Sequence, residues 1–139
     1  MFWNRKKNLA VAMTCSDWRL HQRIVDFNRQ IGRATGTQQV DLVALPGPDG
    51  LLKPERAGEW EAAKAQVKLL ADAHHAAALA VVAHQRCAGH PVSDGEHDRD
   101  VQEAAKKLKE SLGFSGPVYA LVATYKNDRS WGIKEVGRF

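Results

Sequence analysis

The feature that most constrains the fold of this chain is its alternation of short apolar runs with segments of helical periodicity. The runs cover residues 8–15, 40–45, 77–83 and 117–125, and each has the length of a buried strand. In every interval between consecutive runs, apolar residues recur at three- or four-residue spacing, which predicts one helix per interval. The three stripes are Leu20, Ile24, Phe27 and Ile31; Trp60, Ala63, Val67, Leu70 and Ala71; and Val101, Ala105, Leu108 and Leu112.

Turn-forming residues mark the ends of these elements. The first helix begins at about Asp17, and Gly32 and Gly36 end it. Residues 126–129 have the composition of a turn, so residues 131–136 are expected to return as a short fifth strand, antiparallel to the fourth.

Strands that alternate with helices pack as a parallel sheet joined by right-handed crossovers. We therefore predict an α/β fold in three layers: a mostly parallel central sheet of about five strands, helices on both of its faces, and a C-terminal antiparallel strand. A length of 139 residues without an internal linker predicts a single domain over residues 1–139.

Composition and charge argue against several classes of function. The net charge is +4, but the basic residues alternate with acidic ones along the helices instead of forming one patch, so we expect no nucleic-acid partner. No apolar segment approaches the roughly 20 residues that span a bilayer, so we expect no membrane partner. The basic N-terminus before Leu9–Met13 faintly resembles a signal peptide, but its apolar core is short and its cleavage site poor. We interpret it as a lead-in to the first strand and predict a cytoplasmic location.

The two cysteines of the chain stand at strand ends. Cys15 ends the first strand, His84 ends the third, and Cys87 follows three residues later. If those strands are neighbours, the three side chains converge at the carboxyl edge of the sheet, where ligand crevices form. Two thiolates and an imidazole suit zinc, and three protein ligands leave a fourth position open. The sequence thus predicts one zinc per chain, held by Cys15, His84 and Cys87; inert buried thiols and a structural histidine are the alternative.

An acid and a base follow the first cysteine at alternate positions. Asp17 could accept a hydrogen bond from a metal-bound water, and Arg19 would keep that carboxylate ionised and oriented. Asp17 could instead cap the first helix, or do both, and Arg19 could be an exposed first-turn residue.

Together, Cys15-Ser16-Asp17-Trp18-Arg19 and His84-Gln85-Arg86-Cys87 resemble the β-class carbonic anhydrases. The signatures of that family are Cys-x-Asp-x-Arg after the first strand and His-x-x-Cys after the third, and its order of elements is similar over most of this chain. The resemblance implies a zinc enzyme that reversibly hydrates carbon dioxide to bicarbonate with a zinc-bound hydroxide.

The resemblance also assigns roles. Cys15, His84 and Cys87 would bind the metal, and Asp17 and Arg19 would be the catalytic dyad. The fourth ligand would be water or hydroxide, or Asp17 itself in a closed resting form. A homodimer or higher homo-oligomer would be expected.

Some positions depart from the family pattern. Trp18 replaces a residue that is usually small, and Leu45-Pro46-Gly47-Pro48 replaces an Arg-Asn-Ala-Gly-like run. Three alternatives therefore stay open: a zinc hydrolase of the same fold acting on carbon disulfide or carbonyl sulfide, a non-catalytic zinc-stabilised binding module, and a redox protein that uses its two thiols.

The remaining histidines carry weaker predictions. His21 and His90 could relay protons, because imidazole titrates near neutrality, but we favour exposed polar positions for both. Asp94, Glu96, His97 and Asp98 resemble a loose metal cluster, which we attribute to a charged helix start.

Overall fold

The computed structural model describes residues 8–139. Its strands are β1 (Leu9–Thr14), β2 (Gln39–Ala44), β3 (Ala78–His84), β4 (Val118–Asn127) and β5 (Ser130–Arg138). Its helices are α1 (Trp18–His21), α2 (Ile24–Thr35), α3 (Ala57–His74) and α4 (Asp94–Leu112), and 3₁₀ turns at Pro48–Gly50 and Pro54–Arg56 precede α3. The basic lead-in at residues 1–7 lies outside the described part of the chain.

The five strands form one sheet in the order β2-β1-β3-β4-β5. The first four are parallel, and β5 pairs antiparallel with β4. The predicted α/β fold with a mostly parallel sheet is therefore confirmed. The final hairpin turns later than expected, because β4 continues through Asn127 before the chain reverses.

Helices cover both faces of the sheet, which is why β1 and β3 are buried along their whole length. Alternate residues of a strand point to opposite faces. Val11 and Met13 pack in the core beneath α3 and α4, and Ala10 and Ala12 pack in the core beneath α2. The small alanines let α2 lie close to the sheet.

The first helical stripe differs from the prediction of one continuous helix. It is divided into α1 and α2, and the break falls at Arg23, whose φ of −123° and ψ of 60° are not helical. Gly32 lies inside α2, and Gly36, at a φ of 69°, is the residue that ends it. The break separates a short turn beside the end of β1 from the helix that packs on the sheet.

Within residues 8–139, none of the helices combines the length and the apolar character that crossing a bilayer requires.

Candidate metal centre

Between the carboxyl ends of β1 and β3, the chain connections run in opposite directions along the sheet. After β1 the chain passes over one face to β2, and after β3 it passes over the other face to β4. The two outgoing loops therefore diverge and leave a crevice, as at the ligand sites of other open α/β sheets. β1 and β3 are direct neighbours, with Ala12 paired to Ala80, so the adjacency that the sequence argument required is present.

The three sequence-predicted ligands meet in this crevice. The Sγ atoms of Cys15 and Cys87 are 3.9 Å apart, and one ligand atom from each of Cys15, His84 and Cys87 lies within 4.8 Å of the others. All three side chains are buried, and neither cysteine is in a disulfide. This group could hold a metal ion.

The orientation of His84 fits a metal ligand. Its Nδ1 lies 2.7 Å from the carbonyl oxygen of Gln85, which can only accept, so Nδ1 carries the proton. Nε2 is then left with a free lone pair, and within the described residues it has no hydrogen-bond partner although the ring is fully buried. Such a group is costly unless something binds it. A backbone carbonyl that fixes the tautomer is the usual outer partner of a metal-bound histidine.

The two thiols are electrostatically coupled. A hydrogen bond from Cys87 lowers the pKa of Cys15, and His84 and the Gly47 amide, 3.4 Å from the Cys15 sulfur, act in the same direction. The same sulfur contact and burial raise the pKa of Cys87. One thiolate is therefore favoured before a metal arrives, and a cation between the sulfurs would take the place of the remaining thiol proton.

Two glycines hold the ligand-bearing loops against each other. A Cβ atom on Gly47 would lie 2.7 Å from the backbone carbon of Gly89, and one on Gly89 would lie 2.8 Å from the backbone nitrogen of Gly47. Gly47 also has a φ of 49°, which disfavours other residues. The loop Leu45–Pro48, which departs from the family pattern, thus places the Gly47 amide next to the Cys15 sulfur.

Replacing Gly47 with alanine should destabilise the metal-free protein by roughly 2–4 kcal/mol, since the substitution adds backbone strain to a clash with Gly89. Gly58→Ala is the matched control: within residues 8–139 nothing lies within 4 Å of its added Cβ, and alanine should favour α3 by up to about 1 kcal/mol. Urea unfolding of both variants measures the difference. Equal midpoints for Gly47→Ala and the unmodified chain would contradict the close packing of the loops.

Asp17 and Arg19 form a two-pronged ion pair beside the ligands. Arg19 Nη2 lies 2.8 Å from Asp17 Oδ2, and Arg19 Nε lies 3.1 Å from Oδ1. Oδ1 also accepts the backbone N–H of Arg19 at 2.9 Å, so the interpretation of Asp17 as the cap of α1 is confirmed, and its role towards a metal-bound water stays a prediction. The bonds from Arg19 lower the pKa of Asp17, and the carboxylate is therefore ionised at neutral pH.

The ion pair is tied to the second ligand loop. Arg19 Nη2 donates to the carbonyl of Arg86 at 2.9 Å, and Arg86 adopts a φ of 58° between His84 and Cys87. Asp17 Oδ2 lies 3.9 Å from the free Nε2 of His84. Asp17 lies beside the candidate metal ligands. It is not one of the three residues whose ligand atoms all lie within 4.8 Å of one another.

An aromatic side chain closes one side of this arrangement. Trp131 packs edge-on to His84 with ring centres 5.4 Å apart, and the Arg19 guanidinium lies 5.6 Å from its ring centre. Trp131 is buried, whereas Trp18 is 66% exposed. Of these two tryptophans, Trp131 is the one at the site.

One other histidine prediction was wrong: His90 is not an exposed polar residue but only 2% exposed, with Asp100 as its hydrogen-bond partner. The charged helix start is present at Asp94 and Glu96 of α4, and His97 within it is fully buried against Asp49. His21 is half-buried and its Nε2 lies 2.7 Å from the carbonyl oxygen of Cys15. Sequence reasoning missed Asp49 because an aspartate in a Gly-Pro-Asp-Gly run is an ordinary turn residue.

Comparison with known families places this geometry in context. A family model described as "Putative carbonic anhydrase" matches residues 5–136. No curated protein matches the chain.

Proposed function

Because the chain belongs to this carbonic anhydrase-like family, we propose that it is a zinc-dependent carbonic anhydrase of the β-class type, with Cys15, His84 and Cys87 as zinc ligands. The observation that carries the proposal is the buried group of two sulfurs and one free imidazole nitrogen beside an ion-paired aspartate. When bound, zinc would lower the pKa of a coordinated water to about 7 and so make hydroxide available to attack carbon dioxide.

The residues of the chain would prepare that reaction in distinct ways. Asp17 is ionised and therefore accepts a hydrogen bond and cannot donate one, so it would orient an O–H group held near His84 Nε2. Arg19 occupies the outer lone pairs of that carboxylate and fixes its plane. Trp131 would restrict solvent on the side of His84, which strengthens these charge interactions.

The pairing of Asp17 with Arg19 favours an open form of the site. Asp17 lies outside the group of three potential ligands, so it would have to move to become the fourth ligand, and its two guanidinium hydrogen bonds oppose that movement. We therefore propose that the fourth position is open to solvent and substrate in this arrangement.

Carbon dioxide is preferred over carbon disulfide or carbonyl sulfide as substrate. The altered pocket around Trp18 and Pro46 motivated those alternatives, but Trp18 is 66% exposed and Pro46 packs against Gly89. The homodimer implied by the family resemblance and the cytoplasmic location predicted from the N-terminal sequence stay predictions, and light scattering would test the first of them.

The proposal is tested by the initial rate of carbon dioxide hydration, followed by stopped flow with a pH indicator from about pH 7 to 9. Zinc content is measured on the same sample. We expect a rate above buffer that requires zinc, rises with pH through the ionisation of the metal-bound water, and returns when chelated protein is reloaded. Zinc-replete protein without any rate at these pH values would refute the reaction and leave the non-catalytic zinc module as the better assignment.

A further inference from the structure

A second group of potential metal ligands shares no residue with the cysteine site. Asp49 comes from the 3₁₀ turn before α3, His90 from the loop after β3, and Asp100 from α4. One ligand atom from each lies within 4.8 Å of the other two. His90 Nε2 lies 2.7 Å from Asp100 Oδ2 and 3.9 Å from Asp49 Oδ2.

Two members of this group are buried without complete partners. Asp49 is 3% exposed and His90 is 2% exposed. Among the described residues, Oδ1 of Asp49 and Nδ1 of His90 have no hydrogen-bond partner, and of these two atoms the Asp49 oxygen is the one that a cation next to His90 Nε2 would satisfy. A buried carboxylate oxygen with no donor carries a large desolvation penalty, which a cation at this place would offset.

A cavity gives access to the group. Its volume is about 350 Å³, and its charged lining consists of Asp49, Asp100 and Glu103 against Lys53. Glu103 follows Asp100 by one helical turn on α4, so it reaches the same space and can supply a further oxygen. Three carboxylates against one ammonium leave an excess of negative charge for an incoming cation.

The group also has an outer partner that would hold a ligand in place. Nδ1 of the buried His97 lies 2.6 Å from Oδ2 of Asp49, and the rings of His97 and His90 are 5.6 Å apart. Metal-ligating carboxylates are usually hydrogen-bonded in this manner. A histidine–aspartate network without a metal would explain this bond, but it would leave the Asp49 Oδ1 atom unsatisfied.

We propose that Asp49, His90 and Asp100 form a second divalent-cation site, separate from the cysteine site and suited to a harder ion such as Mn²⁺. Carboxylate oxygens dominate the donor set, and such ligands favour Mn²⁺ over the softer ions that thiolates select. On binding, the ion takes the place of the proton that His90 Nε2 shares with Asp100, and the neutral imidazole then carries its one ring proton on Nδ1. The proposal is independent of carbon dioxide hydration.

The test uses the full chain loaded with one equivalent of zinc, which the thiolates retain. Mn²⁺ is titrated in, and the free aqueous ion is measured by electron paramagnetic resonance. We expect one Mn²⁺ per chain, and Asp100→Asn should weaken its affinity at least about tenfold. Glu110→Gln on the same helix is exposed and should bind Mn²⁺ like the unmodified chain. Circular dichroism checks that both variants are folded.

A second measurement requires no variant. Bound Mn²⁺ should broaden the ring resonances of His90 and His97 in proton–nitrogen spectra and spare His75, which precedes β3 and so lies at the opposite edge of the sheet. An absence of Mn²⁺ binding, an affinity unchanged by Asp100→Asn, or unbroadened His90 resonances would each overturn the proposal.

Discussion

Cys87→Ser should lose zinc and with it a large part of the stability of the folded protein. A serine hydroxyl does not replace a thiolate as a zinc ligand, and the two remaining ligands cannot hold the ion. At a zinc concentration 1,000 times its Kd, binding would contribute about 4 kcal/mol, which corresponds to roughly 10–15 °C in Tm for a domain of this size. Thermal unfolding and zinc content, measured on the same preparations, give the result.

Two comparisons separate loss of metal from simple damage to the core. In the presence of a chelator, Cys87→Ser and the unmodified chain should differ by only about 1–3 kcal/mol, because the contact between the two sulfurs is lost and a hydroxyl replaces a thiol in the buried core. Ser16→Ala, at an exposed position beside Cys15, should leave both zinc and Tm unchanged. A Cys87→Ser protein with full zinc and an unaltered Tm would remove Cys87 from the ligand set.

Asp17→Asn should retain zinc but reduce turnover by roughly 10²- to 10⁴-fold, the range typical of a lost acid–base group. Asparagine keeps the shape of the side chain and is as good a helix cap as aspartate, so α1 should persist. The amide carries no charge, however, and cannot accept two bonds from the Arg19 guanidinium as the carboxylate does. The reduction in turnover therefore measures what the negative charge of Asp17, beside His84, contributes to the reaction.

Asp26→Asn provides the matched control for this substitution. Asp26 is an exposed residue in the first turn of α2, and its side chain contacts Gln30. Hydration rates as a function of pH should match the unmodified chain in this control. An Asp17→Asn enzyme that kept its rate and pH profile would show that the carboxylate has no part in the reaction.

The order of elements was predictable because it depends on local patterns. Apolar runs of strand length alternate with helical stripes, and chirality rules then leave few ways to arrange them in a sheet. The break between α1 and α2 was not predictable in this way. Gln22 and Arg23 would both suit exposed positions of a continuous helix, and the break depends on the contact of α1 with the end of β1.

The sequence was sufficient to group the candidate metal ligands, because they stand at strand ends. It was not sufficient to predict the residues that surround them. The Gly47 amide on the Cys15 sulfur and the packing of Gly47 on Gly89 join segments that are distant along the chain. The burial of His97 has the same origin, since its partner Asp49 lies 48 positions away. Such contacts carry no local periodicity for sequence reasoning to detect.

The wide separation of the cysteines also has a consequence for how the protein forms. Cys15 and Cys87 are 72 positions apart and meet only after β1 and β3 have paired at the centre of the sheet. Pairing over that separation is slow because a long loop must close first. A metal held between the two sulfurs would therefore act after the rate-limiting step of folding, and it would retard unfolding without accelerating folding. The metal would therefore prolong the lifetime of the native state and would not make the chain fold faster.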